Sequence, residues 1–134
     1  RVSSSAASDV YKRQEIYNDI SNAKNDYDID HIVSKLEDVY GPIPDYLNNL
    51  FCLTRVKIEG NRIKADKIKL NKESTIITFT PKSLIDNDKL INYFVIKNKI
   101  KLTDQFNLKY QNISKDNFCE LCEEVISMMK DISD

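Results

Sequence analysis

Ile32-Val33-Ser34-Lys35-Leu36-Glu37-Asp38-Val39-Tyr40-Gly41-Pro42-Ile43-Pro44 reads as the last turns of an amphipathic helix, a glycine stop, a proline-stiffened corner and the opening of a second helix. Gly41 stands where a helix end calls for positive φ, and Pro42 cannot prolong the helix. Pro44 falls at the first turn of the next helix, where a missing N–H costs nothing. A corner of this kind sets the angle between two helices.

Outward from the corner the apolar period stays helical. Ile16, Tyr17, Ile20 and Ala23 predict a helix from Glu15 to about Lys24. Asp28 is the expected N-cap of the helix that carries Ile29, Ile32, Val33, Leu36 and Tyr40. Beyond the corner, Tyr46, Leu47, Leu50, Phe51, Thr54 and Ile58 form a third stripe ending near Ile63, and Gly60 is expected to let that end fray.

The second half changes period. Lys67–Leu70 alternates, Asn71–Ser74 is a turn and Thr75–Thr80 is β-branched and aromatic, which predicts one hairpin; Lys99–Leu102 and Phe106–Tyr110 alternate and predict another. Between them Asp86 or Asn87 caps a helix through Leu90, Ile91, Phe94 and Val95. Asp116 is expected to cap a last helix bearing Phe118, Leu121, Cys122, Val125, Met128 and Met129. The expected fold class is therefore α+β: an N-terminal helical group, then two β-hairpins forming a small sheet with packed helices and a C-terminal helix.

Composition narrows the function. With 41% hydrophobic and 31% charged residues the chain is an ordinary globular protein. No apolar run approaches the roughly 20 residues of a membrane helix, and no signal-peptide core appears, so a cytoplasmic location is expected. Net charge is −1, which offers no global field for nucleic acid or lipid. The distribution is uneven: residues 26–46 and the tail lean acidic, while Arg55, Lys57, Arg62, Lys64, Lys67, Lys69 and Lys72 make the middle basic. That segment reads as a solvated face, with an accessory nucleic-acid-binding module as the alternative function.

Only two glycines, Gly41 and Gly60, exclude a phosphate-cradling loop, so nucleotide chemistry is not expected on this chain. Three cysteines argue against a disulfide framework. Cys119 and Cys122 have zinc-pair spacing and, with Cys52 and His31, can be drawn as a four-ligand site. Both fall in a helix rather than on a tight turn and lack a second close pair, so they read as core thiols and no metal or cofactor is expected. His31 has no nucleophile or pocket beside it and reads as solvent-facing; Tyr17, Tyr27, Tyr40, Tyr46, Tyr93 and Tyr110 mostly read as core. No catalytic residues emerge, and the chain is not expected to be an enzyme.

Residues 1–14 are rich in Ser and Ala, unlike the Lys/Asn/Ile-rich remainder, and resemble a translated adapter sequence. They are set apart as a non-native, disordered leader, with residues 15–134 as one domain of a chain truncated upstream.

The order Tyr17, Ile20, Ala23-Lys24, Ile32, Leu36-x-Asp38-x-Tyr40-Gly41-x-x-Pro44, Asn49-Leu50, Arg55-Val56-Lys57 resembles the C-terminal domain of the bacterial transcription-repair coupling factor. Lys67-Ile68 matches the basic-hydrophobic pair before that domain's sheet. The resemblance covers about residues 13–131, with tyrosine in place of the family's phenylalanine before Gly41. It implies a parent that is an ATP-driven translocase on duplex DNA, acts on stalled RNA polymerase and recruits UvrA in nucleotide excision repair. The motor lies outside this chain. The resemblance further implies a regulatory, autoinhibitory domain that packs on the N-terminal UvrB-like module of the same protein and masks its UvrA-binding surface. In the family pattern Glu-Leu-x-Asp-Arg-Phe-Gly, two acids of the helix before the corner meet basic side chains of that module. Asp38 matches the second acid; Lys35 stands at the first, a charge reversal, and Val39 replaces the arginine. Asp38 is carried over as an interdomain contact. Glu37 is the candidate substitute charge, about 100° round the helix from it. Gly41, Pro42 and Pro44 are the structural corner.

Overall fold

Asn25 starts the helix that leads into the corner. Its extended backbone (φ −151°, ψ 171°) leaves the side chain free to accept from the Asp28 N–H at 2.9 Å. Asp28 replies by accepting the Lys24 N–H at 3.0 Å, a variant of the capping box in which the return bond reaches the residue before the N-cap. The N-cap is thus Asn25 rather than Asp28, because the helix starts early enough to place Asp28 in its first turn.

The computed structural model describes residues 13–98, 100–104 and 106–134. Within them α1 spans 13–22, α2 Asp26–Tyr40, α3 Asp45–Arg62, β1 Lys67–Leu70, β2 Ser74–Thr78, α4 Asn87–Asn92, β3 Ile100–Leu102, β4 Asn107–Gln111 and α5 Phe118–Asp131. Most of the leader lies outside the described residues; Arg13 and Gln14 are helical. The chain divides within α3 into a helical unit running to Phe51 and a sheet unit, Cys52–Asp134.

In the helical unit Ile20, Ile29, Leu36, Leu47 and Phe51 are buried, following the expected stripes. In the sheet unit the strands are all antiparallel in the order β1-β2-β4-β3, so the two expected hairpins join through β2 and β4. Alternation sends Ile77, Leu108, Tyr110 and Ile100 to one face, packed with Val56 of α3, with Ile63 in the turn just past it, and with Leu121, Val125, Met128 and Met129 of α5. Lys67, Lys69, Lys101 and Lys109 occupy the other face and are exposed. The fold class is α+β, as expected.

Four local readings change. Gly60 is buried and does not loosen α3: a Cβ there would lie 2.6 Å from Ile68 Cδ1, so its bareness permits a close approach between α3 and β1. The helix after Asp86 stops being an α-helix at Asn92 and continues as a π-helical turn, Tyr93–Lys97, closed by left-handed Asn98 (φ 51°). Tyr93 is buried there, while Ile91 before it and Phe94 and Val95 within it are exposed. Asn117, not Asp116, caps α5 by accepting the Glu120 N–H at 2.9 Å. Finally, Cys52 and Cys119 form a disulfide with Cα atoms 5.4 Å apart, against the expectation from cysteine count. Parity counts thiols; it does not register that α3 and α5 bring two of them together.

Asn112, just past β4, is 2% exposed and fully engaged. Its side-chain oxygen accepts from Thr75 Oγ1 at 2.9 Å, and its amide donates to the Asn71 and Lys72 carbonyls at 2.6 and 3.1 Å. This ties the β1–β2 turn to the end of β4. Asn112→Ala is expected to lower stability by about 2 kcal/mol, since it strands a buried hydroxyl and two carbonyls. Urea unfolding reads the change, and a loss under about 0.5 kcal/mol would mean that those groups find water instead.

Candidate interaction surface

The corner is built as its residues dictate. Gly41 takes φ +81°, and its N–H closes α2 by donating to the Glu37 carbonyl at 2.9 Å. Nothing stands within 4 Å of where a Gly41 Cβ would be, so backbone conformation alone calls for glycine there. Pro44 lies one residue before α3, and its carbonyl accepts from the Leu47 and Asn48 N–H groups at 3.1 and 3.0 Å. A groove of about 250 Å³ opens at the corner, lined by Ile16, Leu36, Tyr40, Pro42, Pro44 and Tyr46 among others.

Asp38 and Glu37 are both exposed on the last turn of α2. No basic residue occupies that turn, and among the described residues neither carboxylate is seen in an ion pair. The helix dipole disfavours acids at this end by a few tenths of a kcal/mol, so their position gains nothing locally. Around them Val39, Tyr40 and Tyr46 are more than half exposed.

The tyrosines were expected mostly in the core, and there the structure differs. Tyr93 and Tyr110 are buried, but Tyr17, Tyr27, Tyr40 and Tyr46 are exposed, all four in the helical unit. Three-residue and four-residue spacing places a side chain on a stripe; it does not say whether anything covers the stripe's margin. An acidic turn flanked by uncovered aromatics is the feature that residue counting missed.

The remaining candidates resolve simply. His31 is exposed and stacks on Tyr27, ring centroids 6.5 Å apart. Cys52 and Cys119 are oxidised to each other; Cys122 is buried, and burial with the nearby Glu123 charge pushes its thiol up to about 11. Among the described residues no group of three or more His, Cys, Asp or Glu side chains is placed to hold a metal ion, and no helix is long and apolar enough to cross a membrane. The basic segment is distributed over α3, the α3–β1 connection, β1 and the following turn. Within it Arg62 is committed to structure, bonding Glu59 Oε1 at 2.8 Å, Ser133 Oγ at 2.7 Å and the Asp134 carbonyl at 3.1 Å.

Comparison with known proteins agrees with the fold. The chain is 25% identical over 125 residues to the transcription-repair-coupling factor of Buchnera aphidicola subsp. Acyrthosiphon pisum (strain APS), an alignment covering 92% of this chain and 15% of that protein. It superposes on a crystal structure of the C-terminal domain of transcription-repair coupling factor with a TM-score of 0.73 at 18% identity, covering 92% of this chain and 81% of that one. The profile of the TRCF domain matches residues 4–90, a span holding α1, α2, α3, the corner between α2 and α3 and the first hairpin. The chain belongs to the TRCF domain family.

Proposed function

We propose that this chain is a regulatory docking domain, whose helical unit packs on the UvrB-like N-terminal module of its parent and masks the UvrA-binding surface there. The observation that carries the reading is the end of α2. Asp38 and Glu37 stand exposed beside Tyr40, Tyr46 and an apolar groove, and the helix dipole gives the two carboxylates nothing at that end. Aromatic anchors ringed by charge are what a partner surface engages. The chain spans about 15% of the length of the curated relative it matches, so the translocase motor and polymerase contacts belong to the rest of the parent. Acting on this chain, the mechanism is coverage of a surface, not bond-making chemistry.

Magnitudes are modest. Holding a closed form at 99:1 requires about 2.7 kcal/mol. Truncating one partner of a desolvated, hydrogen-bonded charge pair costs about 2–5 kcal/mol, enough to release most of that hold. Asp38→Ala in the full-length factor is therefore expected to raise its apparent affinity for UvrA by about tenfold or more, read by titration with labelled UvrA. Glu37→Ala serves as the comparison. Unchanged affinity in Asp38→Ala removes Asp38 from the interface, and unchanged affinity after deletion of this whole domain removes the masking role.

A further inference from the structure

β1 is an edge strand: β2 pairs with one side of it and no described strand pairs with the other. The Asn71 N–H bonds the Ser74 carbonyl, so antiparallel alternation turns the backbone groups of Lys67 and Lys69 toward β2 and those of Ile68 and Leu70 outward. Among the described residues no hydrogen bond reaches the backbone of Ile68 or Leu70 on that side.

A groove of about 640 Å³ runs along this edge. All six consecutive residues Ala65–Leu70 line it, although alternate strand residues point to opposite faces, so the groove follows the edge rather than either face. Its far wall is α3, with Leu53, Val56 and bare Gly60, joined by Phe118 of α5. Leu53 and Phe118 are 43% and 37% exposed, apolar surface with no described cover. Lys57, Lys67 and Lys69 stand exposed on the rim, with Asp66 the one carboxylate among the lining residues.

We propose that this groove receives an extended segment of a partner protein as a fifth strand beside β1, a segment in which apolar and acidic residues alternate. Its backbone would bond the outward N–H and carbonyl groups of Ile68 and Leu70. Its apolar side chains would fall over Leu53 and Phe118, and its acidic ones would meet the lysines, the division of labour usual in strand addition. Charge selects this occupant. Pairing β1 with a second copy would bring Lys67 and Lys69 of both chains onto one face, and like charges opposite each other destabilise a sheet. Lysine on an open edge discourages such self-pairing while leaving the edge open to an acidic strand.

The probe is a capped synthetic peptide of about eight residues alternating Val and Glu, a length that spans a typical strand. It is compared with a Val/Lys peptide and a Val/Glu peptide N-methylated on alternate residues. With the whole chain, fluorescence anisotropy is expected to show the Val/Glu peptide binding about tenfold or more tighter than either control. Hydrogen exchange at the Ile68 and Leu70 amides is expected to slow about tenfold in the complex, and Lys67→Glu/Lys69→Glu is expected to reverse the Glu/Lys preference. No saturable binding of the Val/Glu peptide, or equal binding of all three peptides, overturns the proposal. So does protection of those amides in a concentration-dependent dimer without peptide, which would make a second copy the occupant. Displacement of bound peptide by short duplex DNA, with shifts confined to Lys101 and Lys109, would overturn it in favour of a nucleic-acid face. None of these readouts involves Asp38 or UvrA, so the outcome is separate from that of the docking reading.

Discussion

Replacing Glu124 by alanine is expected to destabilise the sheet unit by about 3–4 kcal/mol, since hydrogen bonds to a charged group contribute about 1.5–3 kcal/mol each and, of the three lost, the exposed Ile113 N–H regains a bond to water. One carboxylate holds three elements. Glu124 of α5 accepts from the buried Tyr110 hydroxyl of β4 at 2.5 Å and from the Ile113 and Ser114 N–H groups of the β4–α5 connection, both at 2.8 Å. In a unit of this size such a loss corresponds to a fall in Tm of roughly 12–30 °C. Calorimetry reads it, and a fall of less than about 5 °C would show that the connection re-forms without the carboxylate.

Glu124 also carries a pH signature. Burial resists its ionisation, but the bonds from Tyr110, Ser114 and Ile113 outweigh burial and hold its carboxyl below the ordinary value of 4.5. With the folded value lower than the unfolded one, the unfolded chain takes up this proton first as pH falls. The stabilisation is complete above the ordinary value and disappears as pH drops through the folded one. Glu124→Gln is thus expected to cost most at neutral pH and progressively less in acid. A pH-independent difference between the variant and the parent sequence would contradict the charged role. The Tyr110 hydroxyl is shifted in the opposite sense, upward, by burial and then by Glu124, so it remains a donor throughout.

Reducing the Cys52–Cys119 bond is the second large expected effect. It joins positions 67 residues apart. On the chain-entropy view, a closed loop of that length removes enough freedom from the unfolded chain to stabilise the fold by about 4 kcal/mol. Thermal melts with and without dithiothreitol are expected to separate by roughly 15–30 °C. Cys52→Ser and Cys119→Ser are expected to match the reduced protein and to lose sensitivity to reductant. Cys122 provides the internal control: its thiol is buried and held largely protonated, so alkylation of the folded, unreduced chain should leave it unmodified. Coincident melts, or labelling of Cys52 and Cys119 without reductant, would refute the clip.

How much of this was legible in the residues depended on the range of the interaction. At the corner Gly41 has positive φ and closes α2 as read, while Pro44 lies one residue before α3 rather than in its first turn, its carbonyl accepting from Leu47 and Asn48. The strand segments were legible to within a residue or two, because alternation in Lys67–Leu70 and Asn107–Tyr110 reports a one-sided core directly. Caps were harder. Asn25 and Asp28 are both good capping residues three apart, and the choice between them depended on where the backbone turns extended. Asp38 was singled out by resemblance alone, and the exposed Tyr17, Tyr27, Tyr40 and Tyr46 were misjudged, since a stripe's margin looks the same in sequence whether covered or bare.

By itself the sequence determined the order and type of the elements, the corner between two helices and the class of the fold, because apolar period, glycine freedom and proline restriction act over a few residues. Tertiary structure alone decided that β2 pairs with β4, that β1 is left with an open edge beside α3, and that Cys52 meets Cys119. It also decided that Gly60 serves close packing on Ile68 rather than a loose helix end. These depend on residues tens of positions apart being brought within a few ångströms. Which of them meet is set by the shared burial of whole faces, a property no local stretch contains.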